Sequence, residues 1–423
     1  MPISRRRFMI SAALSTSTLA MPSFLRAQGK PKVVVIGGGA GGGTAARYLA
    51  KDSKGEIDVT LIEPQQAFTT CFFSNLHIGG FRTFESITHD YKTLESTHGI
   101  KVVHQMATAV DRGAKVVTLA DGSKVPYDKL IVSPGISLKW DSVAGYSQEA
   151  AEVMPHAWQA GPQTQLLKSK IEAMKQGGTF VMIAPPNPYR CPPGPYERIS
   201  MVAHVFKQKN PTAKIIVLDP KEKFSKQALF QEGWQKHYPG MVEWIPGSIL
   251  GSIKSVDAKS GKIETELDVF KADVANVIPA QSAGGIAITA GLTNDSGFCP
   301  IVPDSMQSQI DENVYVLGDS SIAGDMPKSA FSANSQAKVC ANAVRGALTG
   351  SRVFPAKFSN TCWSLIAPDD GVKVGANYEG APEKITKTTG FISNTGEDSA
   401  LRKATYEESL GWYSGITQDI FGA

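Results

Sequence analysis

Several things are missing from this chain, and each absence removes a class of explanation. The five cysteines, Cys71, Cys191, Cys299, Cys340 and Cys362, form no CxxC pair, which removes zinc ribbons and thioredoxin-type motifs. There is no CxxCH, so no covalent c-type haem is carried here. The seven histidines are scattered without metal-ligand spacing, and no metal site is expected. No apolar run reaches the ~20 residues that a membrane-spanning helix needs. The formal net charge is only +4, and Arg5, Arg6, Arg7 and Arg26 account for it. The remainder offers neither a basic stripe for nucleic acid nor a polybasic membrane anchor. What is present is ordinary globular composition, 42% hydrophobic and 19% charged, in a 423-residue chain long enough for two or three domains.

The opening MPISRRRFMISAALSTSTLAMPSFLRAQG has an export layout. Ser4-Arg5-Arg6-Arg7-Phe8-Met9 fits the twin-arginine pattern, followed by a short apolar run and small residues to Ala27. Residues 1–27 are therefore expected to be a signal peptide and the mature protein periplasmic, where disulfides persist. An odd cysteine count in such a compartment leaves at least one cysteine without an intrachain partner.

KPKVVVIGGGAGGGTAARYLA reads as strand, glycine turn and helix. Gly37, Gly39 and Gly42 occupy the GxGxxG positions: one for the tight turn, one for approach of pyrophosphate, one for helix–strand packing. The phosphate then rests on amides at the helix start. A second strand, IDVTLIE, ends at Glu63, placed to bond a ribose hydroxyl. Two distant segments favour FAD over NAD. KLIVSPGIS follows the hairpin-like VVTLADGSKVPY, and NVYVLGDSS ends at Gly318-Asp319 just before a helical run from Ser329 to about Leu348. In flavoproteins with two dinucleotide folds, an Asp at that place reaches the flavin's ribityl chain.

Residues 161–285 repeat the β-α-β rhythm. The amphipathic GPQTQLLKSKIEAMKQ leads to strand TFVMIA, a loop, a helix from about Pro195 to Lys209, and strand AKIIVLD ending at Asp219. Where a nicotinamide site needs glycines, the loop holds Pro185, Pro186, Pro188, Pro192, Pro193 and Pro195. Proline offers no N–H to a phosphate and fixes φ. The domain is expected to keep the fold without an NAD(P) site. Cys191, stiffened by these prolines, is either a redox thiol near the flavin or a structural cysteine in a turn; the residues alone leave both open.

Four segments resemble the flavoprotein subunit of flavocytochrome c sulfide dehydrogenase: FTTCFFSN around Cys71, RCPPGPYER around Cys191, GDMPKSAFSANSQAK from Gly324, and FSNTCWSLIAP around Cys362. The similarity runs from about residue 30 to the C-terminus. It implies an α/β fold with an FAD domain (28–160 and 286–350), a degenerate second Rossmann-like domain (161–285) and a C-terminal α+β interface domain (351–423). It implies FAD held covalently through Cys71, and Cys191 and Cys362 as a redox-active disulfide beside the ring. Trp412, in GWYSGI, matches an aromatic residue near the flavin. GFCPIV around Cys299 has a family counterpart, while Cys340 has no matching role. Glu197 is a candidate proton acceptor or a first-turn acid complementing a helix dipole. Lys328 is a candidate for the flavin's pyrimidine edge.

The implied reaction oxidises hydrosulfide to sulfur or polysulfide and passes electrons to a haem-bearing c-type cytochrome subunit. Neither nucleic acid nor membrane insertion is expected. The competing readings are a sulfide:quinone oxidoreductase, a flavin electron-transfer subunit without its own sulfide turnover, and a protein-thiol oxidoreductase.

Overall fold

The computed structural model describes residues 29–422; the expected signal peptide, 1–27, lies outside the described residues. The first β-branched run becomes β1 (Lys32–Ile36), followed by α1 (Gly42–Asp52), β2 (Asp58–Ile62), β3 (Lys101–Val103) and β4 (Lys129–Val132). β1 pairs in parallel with β2 and β4, and β2 with β3. Val33, Val34 and Val35 are buried on both faces, which explains a continuous apolar strand rather than an alternating one.

The second half-pattern gives β5 (Thr179–Ile183), α2 (Gly194–Lys209), β6 (Lys214–Leu218), α3 (Gln227–His237), β7 (Val242–Ile245) and β8 (Val274–Val277). These strands form an all-parallel sheet in the order β7-β6-β5-β8. The amphipathic helix before it runs Pro162–Glu172 and buries Thr164, Leu167 and Ile171.

The chain then returns to the first sheet. β9 (Val314–Val316) joins β4 in parallel and completes the order β9-β4-β1-β2-β3. α4 (Ala330–Thr349) starts directly behind it, and the Ser329 hydroxyl caps it by accepting the Ser332 N–H at 3.1 Å. Gly318-Asp319 thus sits at the carboxyl end of β9, on the same edge of the sheet as the glycine turn after β1, where open α/β sheets bind ligands.

The last segment is an antiparallel sheet of β10 (Lys357–Ala367), β11 (Asp370–Gly380) and β12 (Ile385–Ile392), then α5 (Ser399–Phe421). The tail ATYEESLGWYSGITQDIFGA has a mixed composition without a clear apolar stripe, yet it forms most of this 23-residue helix. Much of its buried face is small or polar, Thr405, Ser409 and Thr417 among Tyr413, Ile416, Ile420 and Phe421, so hydrophobic periodicity is weak. Ile420 and Phe421 complete the core around β1, and α5 returns Trp412 and Tyr413 to the segment after Cys71. The α/β fold with two Rossmann-like sheets and a C-terminal α+β segment is the one the sequence implies.

Candidate functional site

Two spaces meet at one wall. The first, about 870 Å³ and partly open, is lined by Gly37, Gly38, Gly39, Glu63, Asp319 and Cys71, among others. The second, about 890 Å³ and also partly open, contains Cys191, Cys362, Glu197 and an aromatic face of Phe331, Trp363 and Trp412. Cys71, Phe72, Arg190 and Ala330 line both.

The first space has the features a dinucleotide needs. Gly37 takes φ +99°, and a Cβ there would fall 2.3 Å from the Ser133 carbonyl oxygen. No side chain caps the start of α1, leaving that helix end to an anion. Glu63 accepts the Gly38 N–H at 2.8 Å, fixing the acid against the glycine turn. Asp319 has one carboxylate oxygen buried without a partner among the described residues. Burial lifts its carboxyl above the usual range, opposed by Arg190 and Lys328. An unpartnered buried acceptor on a dinucleotide-sized wall matches a ribityl hydroxyl, so these residues fit FAD.

The second space explains the proline loop. Cys191 is held at φ +58°, its N–H donating to the Lys328 carbonyl at 2.7 Å and its carbonyl accepting the Gly194 N–H at 2.8 Å. Cys362 comes from the middle of β10, and both cysteines line the same cavity. All five cysteines are unbridged in this structure, with Cys299 and Cys340 buried away from the cavities. Burial raises the thiol pKa of both cavity cysteines. For Cys191, Cys362, Glu197 and Cys71 add to that rise and Arg190 opposes it. For Cys362, Asn360, Lys226 and Ser329 oppose it. Glu197, in the first turn of α2, accepts from Asn75 Nδ2 at 2.8 Å and from the Leu365 N–H at 3.0 Å. Its carboxyl is raised by burial despite those bonds.

Two expected positions are refined. Lys328 lines neither cavity: its ammonium donates to the carbonyls of Asp319 and Ser321, both at 2.8 Å, and lies 3.8 Å from the Phe298 ring centroid. With its donors committed to carbonyls behind the Cys191 loop, it ties that loop to the Asp319 turn rather than reaching into a cavity. Trp412 faces the cysteine cavity and not the glycine-lined one, packed 5.2 Å from Trp363.

Where a second dinucleotide would bind, the protein's own side chains take the contacts. The Gly194 and Tyr196 N–H groups at the start of α2 already donate to the carbonyls of Cys191 and Pro193. Asp219, at the end of β6, accepts from Tyr196 Oη at 2.6 Å and Trp244 Nε1 at 3.0 Å, and pairs with Lys221 at 2.7 Å. Tyr196 stacks on Phe224 at 3.7 Å, filling the space beside it.

The sequence reading missed three cations. Arg190 lines both cavities, 4.0 Å from Asp319, and donates to the Trp158 carbonyl. Arg198 is fully buried and donates to Asn75, His156, Ala157 and Asn276. Both flank Cys191 in RCPPGPYER, a local signal that could have found them. Lys226 reaches Cys362 across 136 residues, and nothing in its neighbourhood announces that. Among the described residues, no three His, Cys, Asp or Glu side chains converge to hold a metal ion, and no helix is long and apolar enough to cross a membrane.

Comparison with known proteins agrees with this geometry. Residues 164–279 match the family model "Sulfide dehydrogenase [flavocytochrome c] flavoprotein chain, central". Residues 355–421 match "Flavocytochrome c sulphide dehydrogenase, flavin-binding", and 31–162 match "Pyridine nucleotide-disulphide oxidoreductase". The sulfide dehydrogenase flavoprotein chain of Chlorobaculum thiosulfatiphilum is 55% identical over 47 residues, 11% of this chain and 96% of that sequence. The mitochondrial sulfide:quinone oxidoreductase of Dictyostelium discoideum is 23% identical over 325 residues, 73% of this chain and 69% of that one. The sulfide:quinone oxidoreductase structure from Aquifex aeolicus superposes with a TM-score of 0.73 at 17% identity, covering 93% of each chain, a likeness of fold. On the two sulfide dehydrogenase models and the Chlorobaculum match, the chain belongs to the family of flavocytochrome c sulfide dehydrogenase flavoprotein chains.

Proposed function

We propose that this chain oxidises hydrosulfide to sulfur or polysulfide through a Cys191–Cys362 bridge and FAD held covalently by Cys71. Electrons leave to a c-type cytochrome subunit in the periplasm. One observation carries the reading: both cysteines and Glu197 line a cavity that shares the Cys71–Arg190 wall with the dinucleotide-shaped space.

Hydrosulfide is largely ionised near neutral pH and attacks one sulfur of the bridge, giving a persulfide on one cysteine and a thiolate on the other. A second hydrosulfide takes the outer sulfur as polysulfide and leaves both cysteines reduced. Reclosing the bridge releases two electrons and one proton, and Glu197, inside the same cavity, accepts the proton. The flavin supplies the chemistry that takes electrons in pairs and passes them on singly. The proline loop holds Cys191 in place, and Phe331, Trp363 and Trp412 wall one side of the partly open cavity.

Acid precipitation of the holoprotein tests the attachment: the pellet stays yellow, and Cys71→Ala moves the flavin to the supernatant. Sulfide-dependent reduction of an added c-type cytochrome, with no reduction of a quinone analogue, tests the acceptor. The reverse result favours the quinone-reducing reading, which the likeness over 73% of the chain to a sulfide:quinone oxidoreductase supports. A flavin that sulfide never bleaches leaves only an electron-carrying subunit.

A further inference from the structure

Lys226 is a buried cation beside the cysteine cavity to which the mechanism gives no role. It precedes α3 with φ +61°, and its ammonium reaches into the C-terminal sheet. There it donates to the Cys362 carbonyl at 2.9 Å, the Ser364 hydroxyl at 2.8 Å and the Val372 carbonyl at 3.4 Å. The residue is 4% exposed and makes no ion pair among the described residues, Glu197 being the carboxylate that faces it at longer range. A buried ammonium bonded only to neutral oxygens is costly unless some anion answers its charge.

We propose that Lys226 is the internal cation that holds the Cys362 sulfur as a thiolate when the bridge opens, making Cys362 the leaving sulfur and Cys191 the persulfide carrier. The inference rests on the bridge reading above. In the step, hydrosulfide forms an S–S bond to Cys191 Sγ while the Cys191–Cys362 bond breaks. The electron pair of that bond goes to Cys362, and the proton of hydrosulfide stays on the outer sulfur. Exchange favours departure of the sulfur better stabilised as an anion.

The surroundings of the two sulfurs differ in that sense. Cys362 Sγ has the Asn360 amide at 3.4 Å, Lys226 hydrogen-bonded to its own residue, and the Ser329 cap of α4 on the same cavity wall. Tyr378 from β11 and Glu197 from α2 also face it, and both oppose an anion there when ionised. Beside Cys191, the Arg190 guanidinium favours an anion but is shared with Asp319 and the Trp158 carbonyl. Arg198 is engaged by Asn75, His156, Ala157 and Asn276, while Glu197 and Cys71 oppose an anion on Cys191. Burial draws Lys226 itself down to about 8, and Cys362 is the foremost group restoring its charge, ahead of Glu197 and Cys191. Lys226 acts through Cys362 and is a positioning residue.

The test uses the full-length holoenzyme as wild type, Lys226→Gln and Lys226→Met; glutamine keeps hydrogen bonds to the strand oxygens without the charge. After reduction with a phosphine, Cys362 alkylation by iodoacetamide is followed against pH by peptide mass spectrometry. The Cys362 midpoint is expected to rise by roughly one to two pH units in Lys226→Gln, the scale of losing one nearby unit charge in a protein interior. An unchanged midpoint overturns the proposal. Independently, wild-type enzyme given one equivalent of sulfide without oxygen and quenched with alkylating agent should carry the trapped persulfide on the Cys191 peptide. A persulfide on the Cys362 peptide overturns the assignment whether or not either variant folds. No persulfide on either peptide contradicts the bridge reading itself, and the alkylation midpoint still decides for or against Lys226.

Discussion

Replacing Gly42 by alanine should unseat both the first helix and the flavin. A Cβ at Gly42 would stand 1.8 Å from the Gly37 carbonyl oxygen and 3.2 Å from Val35 Cγ1. Restoring even a 3.0 Å contact requires about 1.2 Å of movement, and the clashing atom is backbone of the turn that would cradle pyrophosphate. Overpacking of this kind costs about 1–3 kcal/mol, and the rigid partner puts Gly42→Ala at the upper end. For a chain of this size that lowers the melting temperature by roughly 1–3 °C. Gly39→Ala is the comparison: its Cβ meets only the edge of the Phe68 ring at 3.1 Å, which can give. Gly39→Ala should therefore also lose flavin, because its methyl enters the lined space, but melt above Gly42→Ala, losing only the stabilisation that bound flavin supplies. Flavin-to-protein absorbance ratios and thermal melts of the proteins as purified measure both quantities. Full flavin content and an unshifted melt in Gly42→Ala would refute the assignment of this turn.

Three further outcomes follow from the geometry. Glu197 is raised by burial, so below that elevated pKa the carboxyl keeps its proton and cannot accept another; sulfide turnover should climb with pH through it, and Glu197→Gln should flatten that limb. Arg402, 3% exposed, holds Glu232 and Asp370 at 3.1 Å each and fixes the start of α5. Arg402→Met should cost about 1–3 kcal/mol in denaturant titration, because Glu397 loses its cation while Asp370 keeps His237 and Lys236. NADH and NADPH should leave the flavin oxidised over minutes, because Tyr196, Trp244 and Lys221 occupy Asp219 and the start of α2 is internally bonded.

The parts of the fold written in local pattern were readable. β1, the glycine turn and Glu63 follow in register, and the strand–helix units around Pro185–Pro195 keep their rhythm despite the prolines. The meeting of Cys191 with Cys362 was reachable only through family resemblance, because the two come from separate elements 171 positions apart. α5 was not legible: its inward face carries Thr405, Ser409 and Thr417, polar groups that hydrogen bonds and close packing make buriable, but that no hydrophobic count detects. Lys328 illustrates the same limit. The chain places a lysine beside Asp319, and only the folded loop shows its ammonium tied to the Asp319 and Ser321 carbonyls. Lys226 has no local signal at all, since its partners are oxygens of a sheet formed much later in the chain.

The most direct measurement of the sulfide chemistry is an anaerobic titration of the holoenzyme with sulfide, following the visible absorbance of the flavin, beside Cys362→Ser and Cys191→Ser. Wild type should bleach with near-stoichiometric sulfide and recover on adding oxidised c-type cytochrome, while both serine variants keep their colour. Bleaching of either variant at the wild-type rate would show that electrons reach the flavin without the two sulfurs.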